Sequence, residues 1–274
     1  MWRVEDGRQM ARLEANDVEC LAVSKDGRWI AAGTQVIVWD AKTYKQPFSQ
    51  WDRRSSITGV DFSPDSTRLV AASYDRIASI WDIAARERAQ TLHHGDSVVV
   101  AAAKYSAKGD RIATATPDSI LVWDSSNGHL LVQIPVRVAW WPNTGLLWFN
   151  DTLLVISDNK IKQIKASTGP AVSEWGVLNT FGSCIALPRH GGFIAYSAQY
   201  AVTLRDTATH TRLGLIQHPE GIRSIAVSPD DRFLAIAGLS GKITFNSLSH
   251  ISVSIVSRST VVHINGFLTP IIFY

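Results

Sequence analysis

"VIVWDAKTYK" (36–45), "ASIWDIAARE" (78–87) and "ILVWDSSNGH" (120–129) decide the fold of this chain. Trp39, Trp81 and Trp123 follow one another at intervals of 42 residues, each with an aspartate behind it. The same register runs on through "KQIKASTGPA" (162–171), "VTLRDTATHT" (202–211) and "ITFNSLSHIS" (243–252). There Ile164, Arg205 and Asn246 take the tryptophan slot, 41 residues further on each time. Counted backwards, the register falls on Trp2, which makes seven slots in all. A fixed period of this length is the mark of a repeat architecture.

A second landmark precedes each of the six later slots. It is a short apolar run that ends in a turn: "LAVSKDG" (21–27), "VDFSPDS" (60–66), "AKYSAKG" (103–109), "VAWWPNT" (138–144), "IALPRHG" (185–191) and "IAVSPDD" (225–231). Proline presets the first dihedral of such a turn, Asp bonds nearby backbone, and Gly tolerates positive φ. Another apolar run follows each turn, as in "RLVAAS", "RIATAT" and "FLAIAG". These pieces are short, rich in Val, Ile and Ala, and bounded by turn residues, so they read as strands, and nowhere does helical periodicity persist. Four antiparallel strands per period describe the blade of a propeller. The expected fold is all-β: one domain over residues 1–274, a seven-bladed β-propeller of four-stranded antiparallel blades, with the closing blade incomplete.

The turn and Trp-Asp landmarks resemble those of the WD40 repeat family, and the resemblance runs along nearly the whole chain. It implies the propeller fold. It also implies a hydrogen-bonded set that pins a blade: a His before the first strand, a Ser or Thr on the second, an Asp in the next turn, and the Trp. Only the third unit can supply all four, as His94, Thr114, Asp118 and Trp123. Unit two keeps Asp75 and Trp81 but has Arg53 and Arg54 where the His belongs.

The opening stretch "MWRVEDGRQMARLE" (1–14) reads as the end of a blade, with Trp2 closing a third strand and Arg8 to Glu14 forming an outer fourth. The tail "TVVHINGFLTPIIFY" (260–274) is then expected to supply inner strands, so that backbone bonds close the ring and remove exposed edges. The distance from slot 246 round to slot 2 is about 11 residues short of a full unit. Either the last blade lacks a strand or the chain is part of a longer protein.

The chain has 274 residues, 46% of them hydrophobic and 19% charged, with a formal net charge of +3. That balance gives no drive toward nucleic acid or an anionic membrane. With only Cys20 and Cys184, neither a disulfide framework nor a CxxC pair can be built, which favours a reducing setting, the cytoplasm or nucleus. No signal peptide opens the chain and no long apolar run interrupts it. The familiar phosphate-loop, zinc and nucleophile motifs are missing. "GLSGKIT" (238–244) is spaced wrongly for a phosphate loop and reads as a turn. His93-His94 lacks companion ligands for a metal. Asp40, Asp82, Asp124 and Asp206 recur with the repeat and so read as structural. No catalytic residue, cofactor or metal is expected, and nucleic acid is disfavoured.

What remains is a binding surface. The resemblance implies a partner face built from loops entering the first strand and loops joining the second to the third. On this chain those loops hold Trp51, Arg53, Arg54, Tyr74, His93, Trp175, Tyr200, His218 and Arg223, with Asp96, Phe181 and Glu220 beside them. Trp, Tyr and Arg are the common anchors of protein interfaces. Trp175 and Phe181 could equally pack between blades. Within "NTGLLWFNDTLLV" (143–155), about six extra residues, among them Leu146 to Phe149, read as an apolar insertion between the first and second strands; it could meet a partner or cover the core. The leading expectation is a non-enzymatic, monomeric scaffold domain that docks protein segments in an assembly. The alternative is small-molecule or glycan binding by aromatic side chains at the channel mouth. A propeller enzyme would need convergent polar groups there.

Overall fold

A computed structural model describes residues 8–15, 18–33, 36–50, 56–95, 99–138, 145–176, 184–188, 190–248 and 260–263, with the backbone alone for 48–50 and 260–263. Its regular structure is all strand. Blade 1 comprises Cys20–Val23, Trp29–Gly33, Val36–Asp40 and Phe48–Gln50 (β1–β4). Blade 2 comprises Ile57–Phe62, Arg68–Ser73, Ile77–Asp82 and Glu87–His93 (β5–β8). Blade 3 comprises Ala102–Tyr105, Arg111–Ala115, Ser119–Asp124 and Leu130–Pro135 (β9–β12). Blade 4 comprises Leu146–Phe149, Thr152–Ser157, Lys160–Lys165 and Ala171–Gly176 (β13–β16). Blade 5 comprises Ile185–Ala186, Phe193–Ala198, Ala201–Asp206 and Arg212–Gln217 (β17–β20). Blade 6 comprises Ile222–Val227, Phe233–Gly238, Lys242–Ser247 and Thr260–His263 (β21–β24). Each is a four-stranded antiparallel sheet whose strands pair in chain order.

The tryptophan slot is the penultimate residue of the third strand in every blade. It pairs with an apolar residue of the second strand: Ile30 with Trp39, Leu69 with Trp81, Ile112 with Trp123, Leu153 with Ile164, Ile194 with Arg205 and Leu234 with Asn246. In blades 2 to 5 the pairing of third and fourth strands shifts register just before this residue, whether it is Trp, Ile or Arg. The bulge therefore belongs to the blade and not to the indole. The aspartate behind the slot shapes the next turn. Asp40 accepts from the Lys42 and Thr43 N–H groups, Asp124 from Ser126, and Asp206 from Ala208 and Thr209. These donors hold the three carboxyls below their ordinary pKa, led by the Thr43 N–H at Asp40, the Ser126 hydroxyl at Asp124 and the Thr209 N–H at Asp206. The turns between first and second strands are built alike. Ser24, Ser63, Ser106 and Ser228 each donate to an aspartate and accept the N–H that opens the second strand.

The core lies between blades. Ala31, Val36 and Val38 of blade 1 meet Val60, Leu69 and Trp81 of blade 2. Val70, Ile80 and Leu92 meet Tyr105, Ile112 and Trp123 of blade 3. Ile120, Val122 and Ile134 meet Leu146, Leu153 and Ile164 of blade 4. Leu154, Ile156 and Ile161 meet Ile194 and Tyr196 of blade 5, and Phe193, Val202 and Leu204 meet Ile225, Leu234 and Ile236 of blade 6. A blade has two apolar faces and buries each only against a neighbour, which is why the repeat stacks.

Three expectations change. Among the described residues there are six blades where seven were expected. Seven slots were counted as seven blades, but Trp2 lies outside the described residues. Thr260–His263, expected as an inner strand of a closing blade, pairs antiparallel with Lys242–Phe245 and completes blade 6 as its outermost strand. Second, Arg8 to Glu14 do not form a strand; the segment is irregular apart from a single bridge at Gln9. Leu13, Ala15 and Val18 instead pack on Ile30, Ala32 and Trp39, on the face of blade 1 opposite blade 2. The clasp with the chain's last residues falls outside the described residues. Third, Leu146–Phe149 is no insertion. It is the first strand of blade 4 itself, closed on the second by a two-residue turn at Asn150 and Asp151. Its alternate residues face blades 3 and 5, Leu146 in one seam and Leu147 in the other, so both faces are apolar. Most of "VAWWPNT" lies outside the described residues.

Candidate functional site

Antiparallel order brings the turns from second to third strands to the same end of the molecule as the segments entering each first strand. Backbone bonds tie the two sets together: Tyr74 N–H to Ser56 O, His94 N–H to Arg76 O, Ser197 N–H to Cys184 O and Ile222 N–H to Gln199 O. Of the expected partner residues, Tyr74, His93 and Tyr200 stand at this end. Burial, then the nearby Glu19 carboxylate, raises the pKa of the Tyr74 phenol. His93 is exposed at the end of β8, and Tyr200 is 50% exposed in the turn before β19.

The best-defined part of this end is on blades 5 and 6. Tyr200 accepts the His218 N–H through its carbonyl (2.7 Å), and Leu239 donates its N–H to the Gly221 carbonyl (2.9 Å). The two residues thus flank segment 218–221 from opposite sides. Leu239 is 63% exposed, and a Cβ on Gly221 would meet its side chain, so only glycine lets it lie there. Glu220 fastens the same segment to the next turn, accepting from the Ser240 N–H (2.8 Å) and hydroxyl (2.7 Å). Partial burial pulls the Glu220 pKa up, but these donors outweigh it and leave the carboxyl below its ordinary value. An aromatic ring, an isobutyl group and a charge are thereby held on rigid backbone. Leu239 was not singled out from the sequence, although it stands in the "GLSGKIT" turn.

Trp175 and Arg223 are half-buried and His218 is buried, so none of the three adds an open side chain to this end. Trp51, Arg53, Arg54, Asp96 and Phe181 are outside the described residues. Trp175 sits on the outer strand of blade 4, its ring 5.0 Å from that of His210 on blade 5, and packs in the seam between those blades. Arg223 is half-buried on the innermost strand of blade 6, where its carbonyl accepts from the Cys184 thiol. His218 is buried, and its Nδ1–H donates to the Glu220 carbonyl (2.9 Å).

His94, Thr114 and Trp123 form a connected polar set inside blade 3. The indole Nε1–H of Trp123 can only donate, and it does so to Thr114 Oγ1 (2.8 Å). The Leu92 carbonyl can only accept, and it takes His94 Nδ1–H (3.0 Å). His94 Nε2 is therefore the bare nitrogen and accepts the Thr114 hydroxyl proton (2.7 Å). One proton arrangement satisfies every group. Burial pushes the His94 imidazole down to about 4, which keeps it neutral in this chain of bonds. Asp118 is exposed, and among the described residues no hydrogen bond joins its carboxylate to the set.

His218 is the counterpart of His94, since each donates its N–H to a carbonyl in the preceding turn. The partners have changed. Ile236 occupies the place of Thr114, Asn246 the place of Trp123, and His218 Nε2 is buried without a hydrogen-bond partner. Further in, the sequence had given no sign of the Asp61 carboxylate of blade 2. It accepts the Tyr105 N–H of blade 3 (2.9 Å) and lies 3.4 Å from the Lys104 ammonium. Burial raises its pKa, opposed by the Lys104 cation and the Tyr105 N–H. Among the described residues no group of three or more His, Cys, Asp or Glu is placed to hold a metal ion, and no helix is long and apolar enough to cross a membrane.

The family model described as "WD domain, G-beta repeat" matches residues 7–40, 46–82 and 209–245. Among curated proteins, the chain is 21% identical over 277 residues to the transcriptional corepressor LEUNIG_HOMOLOG of Arabidopsis thaliana, covering 82% of this chain and 34% of that protein. It is 35% identical over 88 residues to WD repeat-containing protein 1 of Xenopus tropicalis (30% of this chain, 14% of that one). It is 28% identical over 151 residues to eukaryotic translation initiation factor 3 subunit I of Neurospora crassa (50% and 43%). The chain thus spans less than half the length of each of these relatives. Its fold is shared with a chain of the mitotic checkpoint complex at TM-score 0.75 and 15% identity, over 89% of this chain and 76% of that one. The β-propeller domain of Cps50 (Swd1) from Myceliophteria thermophila also gives TM-score 0.75, at 16% identity over 92% and 88%. The chain is thus a β-propeller, three segments of which match the WD40 repeat model.

Proposed function

We propose that this propeller is a non-enzymatic docking platform, and that it receives protein segments at the end where the turns from second to third strands gather. The observation that carries this reading is the pair Tyr200 and Leu239. Two large apolar side chains are 50% and 63% exposed on adjacent blades, and the backbone beneath them is bonded at both turns. Exposed apolar groups on rigid backbone lose little conformational entropy when covered, which favours binding over disorder. Tyr74 and His93 stand at the same end on blade 2 and extend the candidate surface. The names of the relatives, a transcriptional corepressor and a translation initiation factor subunit, accord with work inside assemblies in the cell.

The test is affinity purification of the tagged chain, followed by mass spectrometry, beside a Tyr200→Ala/Leu239→Ala double variant. A Tyr44→Ala variant, at the opposite end, serves as the control. The reading expects specific proteins that the double variant loses and the control keeps. Equal recovery by all three chains would refute it.

A further inference from the structure

We propose that the seam between blades 4 and 5 holds a binding site for a phosphate-class dianion, formed by Arg205, Arg212, His210 and Trp175. Arg205 takes the tryptophan slot of blade 5 and pairs with Ile194 of β18, which packs into that seam. On its other side it pairs with Arg212 of β20. Residues directly opposite in an antiparallel pair share a face, and like charges there repel. Blade 2 shows how closely the two side chains approach. At the same pair of positions, Arg88 lies over the Trp81 ring, 5.3 Å from its centroid. In blade 5 a second guanidinium replaces that ring. Among the described residues neither Arg205 nor Arg212 forms an ion pair. Asp206 pairs with Phe193, which packs toward blade 6, and its carboxylate accepts the Ala208 and Thr209 N–H groups instead.

Three polar atoms of this group are buried without a hydrogen-bond partner: Arg205 Nε, Trp175 Nε1 and His210 Nδ1. They belong to neighbours. The Trp175 and His210 rings lie 5.0 Å apart, and Arg205 Nη1 donates to the His210 carbonyl (2.6 Å). The guanidinium and the indole can only donate, and the imidazole Nδ1 donates in one of its tautomers. Water answers such a set poorly, because its own hydrogens need acceptors and it brings no charge. A partly buried cation without a counter-charge is costly. An acceptor-only ligand with two negative charges meets the donors and the two guanidiniums together, and phosphate has that chemistry. Arg212 is exposed while Arg205, His210 and Trp175 are half-buried, so the group is reached from the Arg212 side. Inorganic phosphate and a phosphorylated side chain of a partner carry the same group. The site shares no residue with the docking surface proposed above and does not depend on that reading.

The test is thermal unfolding of the full chain in phosphate and in chloride at matched ionic strength, at about pH 8, where phosphate is a dianion. Phosphate at about 10 mM should raise Tm by about 2–4 °C over chloride. Each variant is compared with itself in chloride, so its own change in stability drops out. Arg205→Ile takes the residue that blade 4 carries in its slot, and Arg212→Gln alters an exposed position. Each should weaken binding at least about tenfold, as expected for a lost hydrogen bond between charged groups. Trp175→Phe keeps an aromatic ring without the N–H and should weaken it severalfold. Arg88→Gln removes the same charge from blade 2 and should leave the gain intact. Inorganic phosphate and O-phosphoserine run side by side separate the two sources. Stronger stabilisation by the free ion marks it as the ligand, and stronger stabilisation by the monoester marks a phosphorylated partner. Acetate, a monoanion, should stabilise less than either. The proposal is overturned by no gain over chloride, by a gain that either arginine variant keeps in full, or by acetate matching phosphate.

Discussion

Thr114→Val tests whether the polar set of blade 3 holds that blade together. Valine keeps the β-branch and nearly the volume of threonine, so strand propensity and packing are preserved. It removes one oxygen that serves two partners, the Trp123 indole N–H at 2.8 Å and His94 Nε2 at 2.7 Å. Thr114 is fully buried, so neither orphaned group can turn to water. A buried group left unpaired costs about 1–3 kcal/mol, and two of them, less a small gain from the added methyl, put the loss at about 2–5 kcal/mol. The assay is urea unfolding followed by tryptophan fluorescence at pH 7.5, where His94 is neutral in both folded and unfolded chains. Trp123→Phe in the Thr114→Val background removes one of the orphans, so the double variant should be more stable than the sum of the single losses by about 1–2 kcal/mol. A loss under about 0.5 kcal/mol for Thr114→Val, or strict additivity with Trp123→Phe, would refute the reasoning.

Two further outcomes follow from the same geometry. The His94 imidazole ordinarily titrates near 6.5 and falls to about 4 in the folded chain, so its contribution is complete above pH 6.5 and is lost as pH falls toward 4. The loss amounts to about 3 kcal/mol, and the slope of stability against pH in that window should flatten in His94→Phe, whereas an unchanged slope would show that other groups set it. Gly59 of β5 runs so close to blade 3 that a Cβ there would meet the Ala102 Cα at 3.1 Å, and backbone cannot yield as a side chain can. Gly59→Val should cost about 1–3 kcal/mol in the same urea assay, and a neutral result would mean that blades 2 and 3 separate readily.

The sequence reading succeeded where a residue's role repeats. Trp39, Trp81 and Trp123 located the third strand, and the same spacing located it at Ile164, Arg205 and Asn246, where nothing in the residue itself announces a slot. It failed where the count of slots had to stand for the count of blades, because Trp2 and the tail at 260–274 were assigned by arithmetic alone. Leu146 to Phe149 misled for a physical reason. A first strand buried on both faces is a continuous apolar run, and such a run looks like an insertion when "VAWWPNT" has already been given its place. His218 was readable and missed. It stands 28 residues before Asn246, as His94 stands 29 before Trp123, so the spacing that identified one structural histidine could have identified the other. Trp175 could not be placed from sequence, because which seam an outer-strand aromatic enters depends on the twist of the blade. The Asp61 contact with Lys104 and Tyr105 joins different repeats, and no period within a repeat predicts it.

Comparison of blades 3 and 6 separates what makes a blade from what tightens it. Blade 3 has the indole, the hydroxyl and the imidazole in one satisfied chain of bonds. Blade 6 retains the imidazole but sets isoleucine and asparagine in the other two places, and His218 Nε2 is left without a partner. Both are nevertheless four-stranded, with the same strand order and the same apolar pairing beneath the slot. Strand formation therefore follows from the alternation that buries residues such as Ile225, Leu234 and Ile236 against blade 5, and the polar set adds stability to a sheet already specified. The tryptophan is thus free to change from blade to blade wherever the seam is apolar enough. A repeat of this kind can lose its most recognisable residue and keep its fold.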